Sequence, residues 1–160
     1  MELLKKLRAF LDANHAEYTH TVHPLAYTAR EVASAEHLPN REVAKTVVVF
    51  ADEGYHMIVV PANRLVDFQE VRVTLGFTHA RLATEQELAQ LFPDCELGAM
   101  PPLGTLYGLP VYVDRSLTGD EEIVFEGGTH SEAIRMRYWD FAALVFPVVA
   151  EFHRPPLATC

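Results

Sequence analysis

A single lysine, Lys45, stands at the entrance of an apolar run, EVAKTVVVF, from Glu42 to Phe50. A lysine at a strand edge commonly lays its stem on the core and keeps its ammonium in water. Ala44 and the valines, however, would form apolar walls in which an ammonium interacts strongly with an anion or a polarised carbonyl. Burial of this kind lowers the pKa of a lysine. Lys45 is therefore the first candidate for a substrate-holding cation.

Two loops could complete a site around this cation. In GAMPPLG, Gly98 to Gly104, glycine permits close backbone approach and proline stiffens the chain. Amides fixed in this way can hold a developing oxyanion, and one such donor is typically worth about 100- to 1,000-fold in rate. In GGTHSE, His130 could serve as a hydrogen-bonding group or a proton carrier. The alternative for both stretches is an ordinary surface loop.

Other reactive residues are less well placed. His20 and His23 are three apart on an extended segment, so we expect them to face opposite sides, and no Cys or carboxylate set completes a tetrahedron. A metal-dependent hydrolase that uses them is the weaker alternative, and no metal is expected. Cys95 lacks a basic neighbour that would lower its pKa, which argues against a nucleophilic role.

The composition limits the classes of function. The chain has 160 residues, of which 49% are hydrophobic and 22% charged, as in an ordinary globular domain. It has no apolar stretch of membrane-spanning length and no signal-peptide pattern, and its two cysteines make no disulfide framework, so a cytoplasmic location is expected. A formal net charge of −9 argues against non-specific nucleic-acid binding, since such proteins are normally basic. Any nucleic acid must be held locally.

Capping residues and hydrophobic spacing predict the elements that position these residues. The predicted helices are an N-terminal one with Leu3, Leu4, Leu7, Phe10 and Leu11 on one face and a stop at Asn14, one from Thr28 to about Leu38, one from Asp67 to Gly76, one from Thr84 to Pro93, and FAALVF capped by Asp140. The predicted strands are YTHTV, 43–50 and 55–60 with a hairpin turn marked by Gly54, VYVD, EEIVF and AIRMRY.

The order of these elements predicts the fold class. Most connections are too short for repeated βαβ crossovers, which indicates an α+β fold with a mixed, mainly antiparallel central sheet and flanking helices. One domain is expected over residues 1–152, with a loose tail over 153–160. The acidic cluster of Asp120, Glu121, Glu122 and Glu126 is expected to be a solvated edge strand.

In this order, seven motifs resemble those of the YbaK family, also called the prolyl-tRNA-synthetase-associated editing domain. The motifs are TAREVA, AKTVVV, VVPANRLVD, GAMPPLG, VYVDRSL, FEGGTH and IRMRYWDF, and the resemblance covers about Ala26 to Leu144. The family's lysine corresponds to Lys45, its G-x-x-x-P loop to Gly98–Pro102, and its loop before the last strand to Gly127–His130.

The resemblance implies a trans-acting deacylase that hydrolyses the ester of mischarged tRNA without metal, other cofactor or covalent nucleophile. The lysine would orient the substrate through the terminal phosphate or the carbonyl, and backbone amides near the G-x-x-x-P loop would polarise the ester. The implied catalytic residues are Lys45, Gly98 and His130, and the implied substrate-binding residues are Thr46, Met100, Pro101, Pro102, Leu103, Gly104, Gly127, Gly128 and Thr129. The implied partners are the 3′ end of aminoacyl-tRNA and, as an open alternative, an aminoacyl-tRNA synthetase, with no membrane and no DNA.

The amino acid removed is expected to be small, namely Ala, Ser, Thr or Cys, since these are the side chains that a synthetase separates poorly. Thr46 stands where alanine-specific members of the family carry Asn, which weakens a transfer of alanine specificity. Met100, Leu103, Phe50 and Val48 are candidates for lining the pocket. The competing hypothesis is a non-catalytic binding or regulatory module for an amino acid, a nucleotide or a protein partner, and the net charge of −9 favours it.

Overall fold

The computed structural model describes residues 2–151 and 153–154, and within them the chain forms five α-helices and ten short strands. The helices are α1 (Glu2–Ala13), α2 (Ala29–Ala35), α3 (Phe68–Leu75), α4 (Glu85–Leu91) and α5 (Tyr138–Val145). The strands are β1 (Tyr18–Val22), β2 (Ala44–Ala51), β3 (Gly54–Pro61), β4 (Leu65–Val66), β5 (Ala80–Leu82), β6 (Val111–Asp114), β7 (Glu122–Glu126), β8 (Glu132–Arg137), β9 (Val148–Ala150) and β10 (His153–Arg154). No helix in this part of the chain is both long and apolar enough to cross a bilayer.

The strands form two main sheets and one short pair. The larger sheet has the order β5-β2-β3-β6-β9, with antiparallel pairs among β5, β2 and β3 and parallel pairs from β3 to β6 and from β6 to β9. The smaller sheet, β1-β8-β7, is antiparallel, and β4 pairs with β10. A parallel bridge between Val43 and Val124 joins the start of β2 to β7. The predicted mixed, mainly antiparallel α+β fold is confirmed.

The main core lies between the two sheets and α1. Leu7 and Leu11 of α1 are fully buried there, at the helical spacing that the sequence predicts. The larger sheet contributes Val48, Met57 and Val59, and the smaller sheet contributes Ile123, Phe125, Ile134 and Met136. Two smaller clusters complete the interior, one where α2 covers the junction of the sheets and one where α3 covers the outer face of β2 and β3.

One edge of β2 is only partly covered. The short strand β5 pairs with β2 at residues 49–51, and the Ala83 N–H donates to Val48 O just beyond that pairing. In an antiparallel ladder, backbone groups point to alternate sides at successive residues. The backbone groups of Thr46 therefore point to the same edge as those of Val48, where β5 has ended. This end of β2 carries Lys45 and Thr46, two of the predicted site residues.

Several capping predictions are confirmed. Thr84 and Glu87 form the reciprocal capping box of α4, Asp67 accepts from the amides of α3, and Gly76 ends α3 with a left-handed φ of 74°. The hairpin between β2 and β3 turns at a different place from the prediction. Asp52 and Glu53 have φ values of 46° and 67°, while Gly54 already belongs to β3. A two-residue turn with positive φ at both positions matches the twist of the flanking strands, and aspartate tolerates this conformation.

Two helix boundaries differ from the predicted ones. α5 begins at Tyr138 directly after β8, so Asp140 does not cap it but lies in its first turn, with its Oδ2 3.3 Å from Arg137 Nε. α2 ends at Ala35 and not near Leu38, because the chain turns at His37 with a φ of 57°. Of the tail expected over 153–160, the first two residues form β10, and 155–160 lie outside the described residues.

The acidic cluster is solvated only in part. Glu121 and Glu122 are exposed as predicted, but the side chains of Asp120 and Glu126 are only 10% and 11% exposed. The start of β2 lies beside β7 at the bridge between Val43 and Val124, and Arg41 Nε, just before β2, lies 4.0 Å from Asp120 Oδ1. Burial, and then the charge of Glu42, raises the pKa of Asp120 to about 6. The prediction of a fully solvated edge is wrong for Asp120 and Glu126.

Candidate functional site

A cleft of about 460 Å³ opens at the uncovered end of β2. Its walls come from the start of α2 and the loop before it, the start of β2, the segment after β3, and the GAMPPLG loop. The residues that line it are Tyr27, Thr28, Ala29, Arg30, Lys45, Thr46, Ala62, Leu65 and Gly98. Because most of these side chains are small or apolar, the cleft is suited to a ligand that combines an apolar body with a charged group.

Lys45 and Arg30 supply the positive charge of the cleft. Lys45 is half-buried, and burial lowers its pKa, with the neighbouring charge of Arg30 acting in the same direction. Arg30 is exposed at the start of α2. An anion placed between these two cations would relieve both their mutual repulsion and the loss of solvation at Lys45. The geometry therefore favours binding of a negatively charged group.

The loops behind the cleft are tied together by backbone hydrogen bonds. The Gly128 N–H donates to Ala99 O at 2.9 Å, and the Glu96 N–H donates to Gly128 O at 2.8 Å. The His130 N–H donates to Glu96 Oε1 at 2.8 Å. The GAMPPLG and GGTH loops thus form one unit. The Ala99 N–H is itself committed to Glu96 O at 3.0 Å, and its neighbours Gly98 and Met100 line the recess.

His130 lies beneath the cleft and is not among its lining residues. Its side chain is 9% exposed, and its Nε2 lies 2.7 Å from Leu97 O. A carbonyl can only accept, so Nε2 carries a proton and donates. The other ring nitrogen, Nδ1, lies 3.6 Å from Glu126 Oε1. His130 therefore connects the Gly98 segment to Glu126, and its catalytic role remains a prediction.

A smaller recess of about 40 Å³ continues from the cleft toward β7. The residues that line it include Val43, Ala44, Thr46, Met100 and Glu126. Burial raises the pKa of Glu126 to about 7, against a smaller lowering effect of His130. Thr46 Oγ1 and Glu126 Oε1 are both buried, and neither has a hydrogen-bond partner among the described residues. The recess thus has apolar walls and two unused polar atoms.

The structure brings four of the predicted site residues to the cleft or its recess, namely Lys45, Thr46, Gly98 and Met100. The others lie behind them: Pro101, Pro102, Leu103, Gly104, Gly127, Gly128 and Thr129 are buried in the supporting loops. Gly128 has a φ of 101° and packs on Leu3 of α1, and Thr129 Oγ1 donates to Glu132 Oε2 at 3.1 Å. Their placement suits a supporting role.

The other two pocket candidates lie away from the cleft. Val48 is in the main core, and Phe50 stacks on Tyr55 and Arg81 at the far end of β2. Sequence reasoning missed Tyr27, Arg30 and Glu126. The motif TAREVA contains Arg30, but its sequence signals only a helix cap and a family resemblance, and the acidic cluster predicts a solvated Glu126. A buried acid next to a Gly-Gly turn was the available signal for Glu126.

The histidines and Cys95 do not form a second reactive centre. His20 Nε2 lies 3.5 Å from Glu132 Oε1, and His23 Nδ1 lies 2.7 Å from Pro24 O. Within residues 2–151 and 153–154, no three His, Cys, Asp or Glu side chains are grouped so that they could hold a metal ion. Burial raises the pKa of the half-buried Cys95 thiol, which disfavours the nucleophilic thiolate.

Comparison with known proteins finds relatives that share part of this sequence. Proline–tRNA ligase of Thermosipho melanesiensis is 24% identical over 116 residues, which are 72% of this chain and 20% of that protein. The enzyme of Fervidobacterium nodosum is 27% identical over 104 residues, 65% of this chain and 18% of that protein. The chain thus spans about a fifth of the length of these relatives.

A solved structure described as a candidate trans-editing enzyme for prolyl tRNA synthetase superposes with a TM-score of 0.83 at 24% identity, covering 96% of this chain and 98% of that one. This similarity shows a shared fold. The sequence profile of the aminoacyl-tRNA editing domain matches residues 23–144, a range that includes the cleft, the recess and their supporting loops. The chain therefore belongs to the aminoacyl-tRNA editing domain family.

Proposed function

We propose that the protein hydrolyses the ester bond of tRNA mischarged with a small amino acid, Ala, Ser, Thr or Cys, without a metal or a covalent nucleophile. The observation that carries this proposal is the half-buried Lys45, which stands with Arg30 in a cleft of an editing-domain fold. An aminoacyl ester is already activated. Positioning and stabilisation of the oxyanion are therefore sufficient to accelerate its hydrolysis.

Lys45 has the role of holding the substrate in this proposal. A tRNA 3′ end carries phosphates beside the terminal ribose, and a phosphate between Lys45 and Arg30 would be bound by two cations in a partly dry site. The lysine does not attack the ester. Its charge fixes the terminal nucleotide so that the ester carbonyl lies over Gly98 and the edge of β2.

The chemical step is attack of water on the ester carbonyl. The water oxygen forms a bond to the carbonyl carbon, and the carbonyl oxygen becomes an oxyanion. The bond from that carbon to the ribose oxygen then breaks, and the ribose oxygen takes up a proton, which leaves free amino acid and tRNA. In this proposal the oxyanion accepts hydrogen bonds from backbone amides of the Gly98 loop and of the open β2 edge at Thr46, and the lining of the recess by both residues supports this.

The recess supports the restriction to small amino acids. Its volume of about 40 Å³ compares with the roughly 30 Å³ that one water molecule occupies in the liquid. Val43, Ala44 and Met100 close it off with buried side chains. A side chain of one to three heavy atoms fits such a space, and a larger side chain would have to displace the wall of the core.

The carrier we propose is the tRNA for proline, because the matching relatives are proline–tRNA ligases. Association with such a ligase is the corresponding proposal for a protein partner. The acidic net charge of −9 is compatible with both, since only the 3′ end of the tRNA must enter the cleft.

The decisive variant is Lys45→Ala, with Lys5→Ala, an exposed lysine of α1, as the matched control. We expect Lys45→Ala to lower deacylation of mischarged proline tRNA by about 100-fold or more, because a misplaced substrate loses that much. The free energy of unfolding is expected to stay within about 1 kcal/mol of wild type, since no buried apolar group is removed. Rates of deacylation and urea melts of both variants test this.

Three results would change the proposal. Wild-type deacylation by Lys45→Ala would show that the lysine has no role in holding the substrate. Failure of the wild-type protein to cleave esters of Ala, Ser, Thr and Cys would exclude a deacylase of this class. Saturable binding of an amino acid or nucleotide without hydrolysis would favour the binding module.

A further inference from the structure

The recess contains two polar atoms that the fold leaves unused. Thr46 Oγ1 and Glu126 Oε1 are buried and without a hydrogen-bond partner among the described residues. A buried polar atom without a partner has lost its hydrogen bonds to water and gained none in return, so such atoms are normally paired. Both side chains line the same recess. A ligand group that pairs with them would recover this cost.

The described residues around Thr46 Oγ1 and Glu126 Oε1 do not provide them with a hydrogen-bond partner. The inner walls are Val43, Ala44 and Met100, which are apolar and buried. The residues shared with the cleft are Tyr27, Ala29, Lys45 and Gly98, and Lys45 is the one cation among the described residues that line the recess. His130 Nδ1, the nearest basic atom to Glu126, lies 3.6 Å from Oε1, which is beyond good hydrogen-bond distance. The other ring nitrogen of His130 is committed to Leu97 O. The two oxygens are therefore available to a ligand.

We infer that the recess binds the side-chain hydroxyl of a β-hydroxy amino acid, so that seryl and threonyl esters are preferred over alanyl esters. This inference rests on the proposed deacylase function and narrows its substrate. Thr46 and Glu126 are its specificity-determining residues.

A hydroxyl fits because it can donate and accept at once. It can donate a hydrogen bond to the Glu126 carboxylate and accept a hydrogen bond from the Thr46 hydroxyl. The methyl group of an alanyl ester would fill the same space and leave both oxygens unpaired. Sites that are built to bind a hydroxyl reject analogues without it strongly, whereas apolar pockets separate side chains that differ by one methylene by only about 10- to 200-fold.

A thiol is the weaker fit. The S–H group is a poor donor and the sulfur a poor acceptor, and sulfur is larger than oxygen in a recess of about 40 Å³. The methyl group of a threonyl ester can lie against the apolar wall that Val43 and Met100 provide. The expected order of cleavage is therefore seryl and threonyl first, then cysteinyl, then alanyl.

The test compares kcat/KM for seryl, threonyl, cysteinyl and alanyl esters of one proline tRNA, with the wild-type protein and Thr46→Val. Valine keeps the branched shape of threonine and removes the hydroxyl. The wild-type ratio of seryl to alanyl cleavage is expected to be about tenfold or more, and Thr46→Val is expected to lower it by about 10- to 100-fold. Thr19→Val, at an exposed position of β1, is the control for the same chemical change.

The outcomes separate the inference from the proposed function. Cleavage of alanyl esters at least as fast as seryl esters by the wild-type protein would overturn the inference and leave the deacylase intact. An unchanged ratio in Thr46→Val would overturn the role of Thr46 in selection. Absence of cleavage of all four esters would overturn both the deacylase and the inference.

Discussion

Glu126 is a buried carboxyl of the site, and its pKa differs strongly between the folded and the unfolded chain. Burial raises the pKa of its carboxyl, and the charge of Glu96 adds to this rise while His130 opposes it, which leaves a pKa of about 7. A glutamate in the unfolded chain has a pKa near 4.5. Between these two values, the folded protein binds more protons at this side chain than the unfolded chain does. Stability therefore falls as the pH rises through this range.

Replacement of Glu126 by Gln removes this dependence on pH. At pH 8 the variant is expected to be about 1–3 kcal/mol more stable than wild type, since one pKa unit corresponds to about 1.4 kcal/mol. At pH 4, where the carboxyl is protonated in both states, the difference is expected to be close to zero. Urea melts at both pH values measure it, with Glu122→Gln on the exposed face of the same strand as control. An equal pH dependence in Glu126→Gln and wild type would contradict the shifted pKa.

The turn that begins at Gly104 supports the GAMPPLG loop. This one-turn 3₁₀ helix, Gly104–Leu106, is buried at its first residue, and a Cβ on Gly104 would lie 2.3 Å from Leu109 O and 2.5 Å from Val111 Cγ2. The first of these contacts is with backbone and cannot be relieved by a rotamer change. Gly104 therefore permits a close approach of two chain segments that any side chain would prevent.

Gly104→Ala is expected to destabilise the protein by about 1–3 kcal/mol, as overpacking of a core does. Gly119→Ala is the matched control, since Gly119 ends another 3₁₀ turn and has no heavy atom within 4 Å of an added Cβ. We expect a change of less than about 1 kcal/mol there. Thermal unfolding of the two variants measures the loss of stability in each. An equal loss in Gly104→Ala and Gly119→Ala would show that the backbone at Gly104 can move to accommodate a side chain.

The helix caps were predictable because their signals are local. Thr84 with Glu87, and Asp67 with Gly76, lie within one element and need no tertiary information. Lys45 and Gly98 could be named as candidate site residues for the same reason, since each is marked by its immediate neighbours in the sequence. Arg30 and Glu126 did not, because their approach to Lys45 depends on how α2 and β7 pack against β2. The pairing of strands that are distant in sequence decides which residues line the cleft. This pairing could not be predicted from the local sequence.

The whole molecule is acidic, with a net charge of −9, yet the cleft concentrates two cations. A tRNA held along its length would need many basic contacts, and this surface would repel it. Binding restricted to the 3′ end requires few phosphates. The overall charge thus favours a local hold on the nucleic acid, consistent with the size of the cleft.

This arrangement predicts a weak dependence of KM on salt. If about two phosphates of a single strand are neutralised, KM for the tRNA is expected to rise about sevenfold between 50 and 200 mM salt, whereas 6–10 phosphate contacts on duplex nucleic acid would cost about 10³–10⁵. Steady-state deacylation across this range gives the slope. A rise of a hundredfold or more would mean that basic residues beyond Lys45 and Arg30 hold the tRNA.

The bridge between Val43 and Val124 has a consequence for the stage of folding at which the recess forms. The walls of the recess extend in sequence from Tyr27 to Glu126, and they meet only where this bridge joins the two sheets. Contacts of such high sequence separation form slowly, because the loops between them must close first. A partly folded chain, with α1 and the β2-β3 hairpin formed but the sheets still apart, has no recess. The proposed selection of the amino acid therefore requires the completed fold, in which the two sheets are joined.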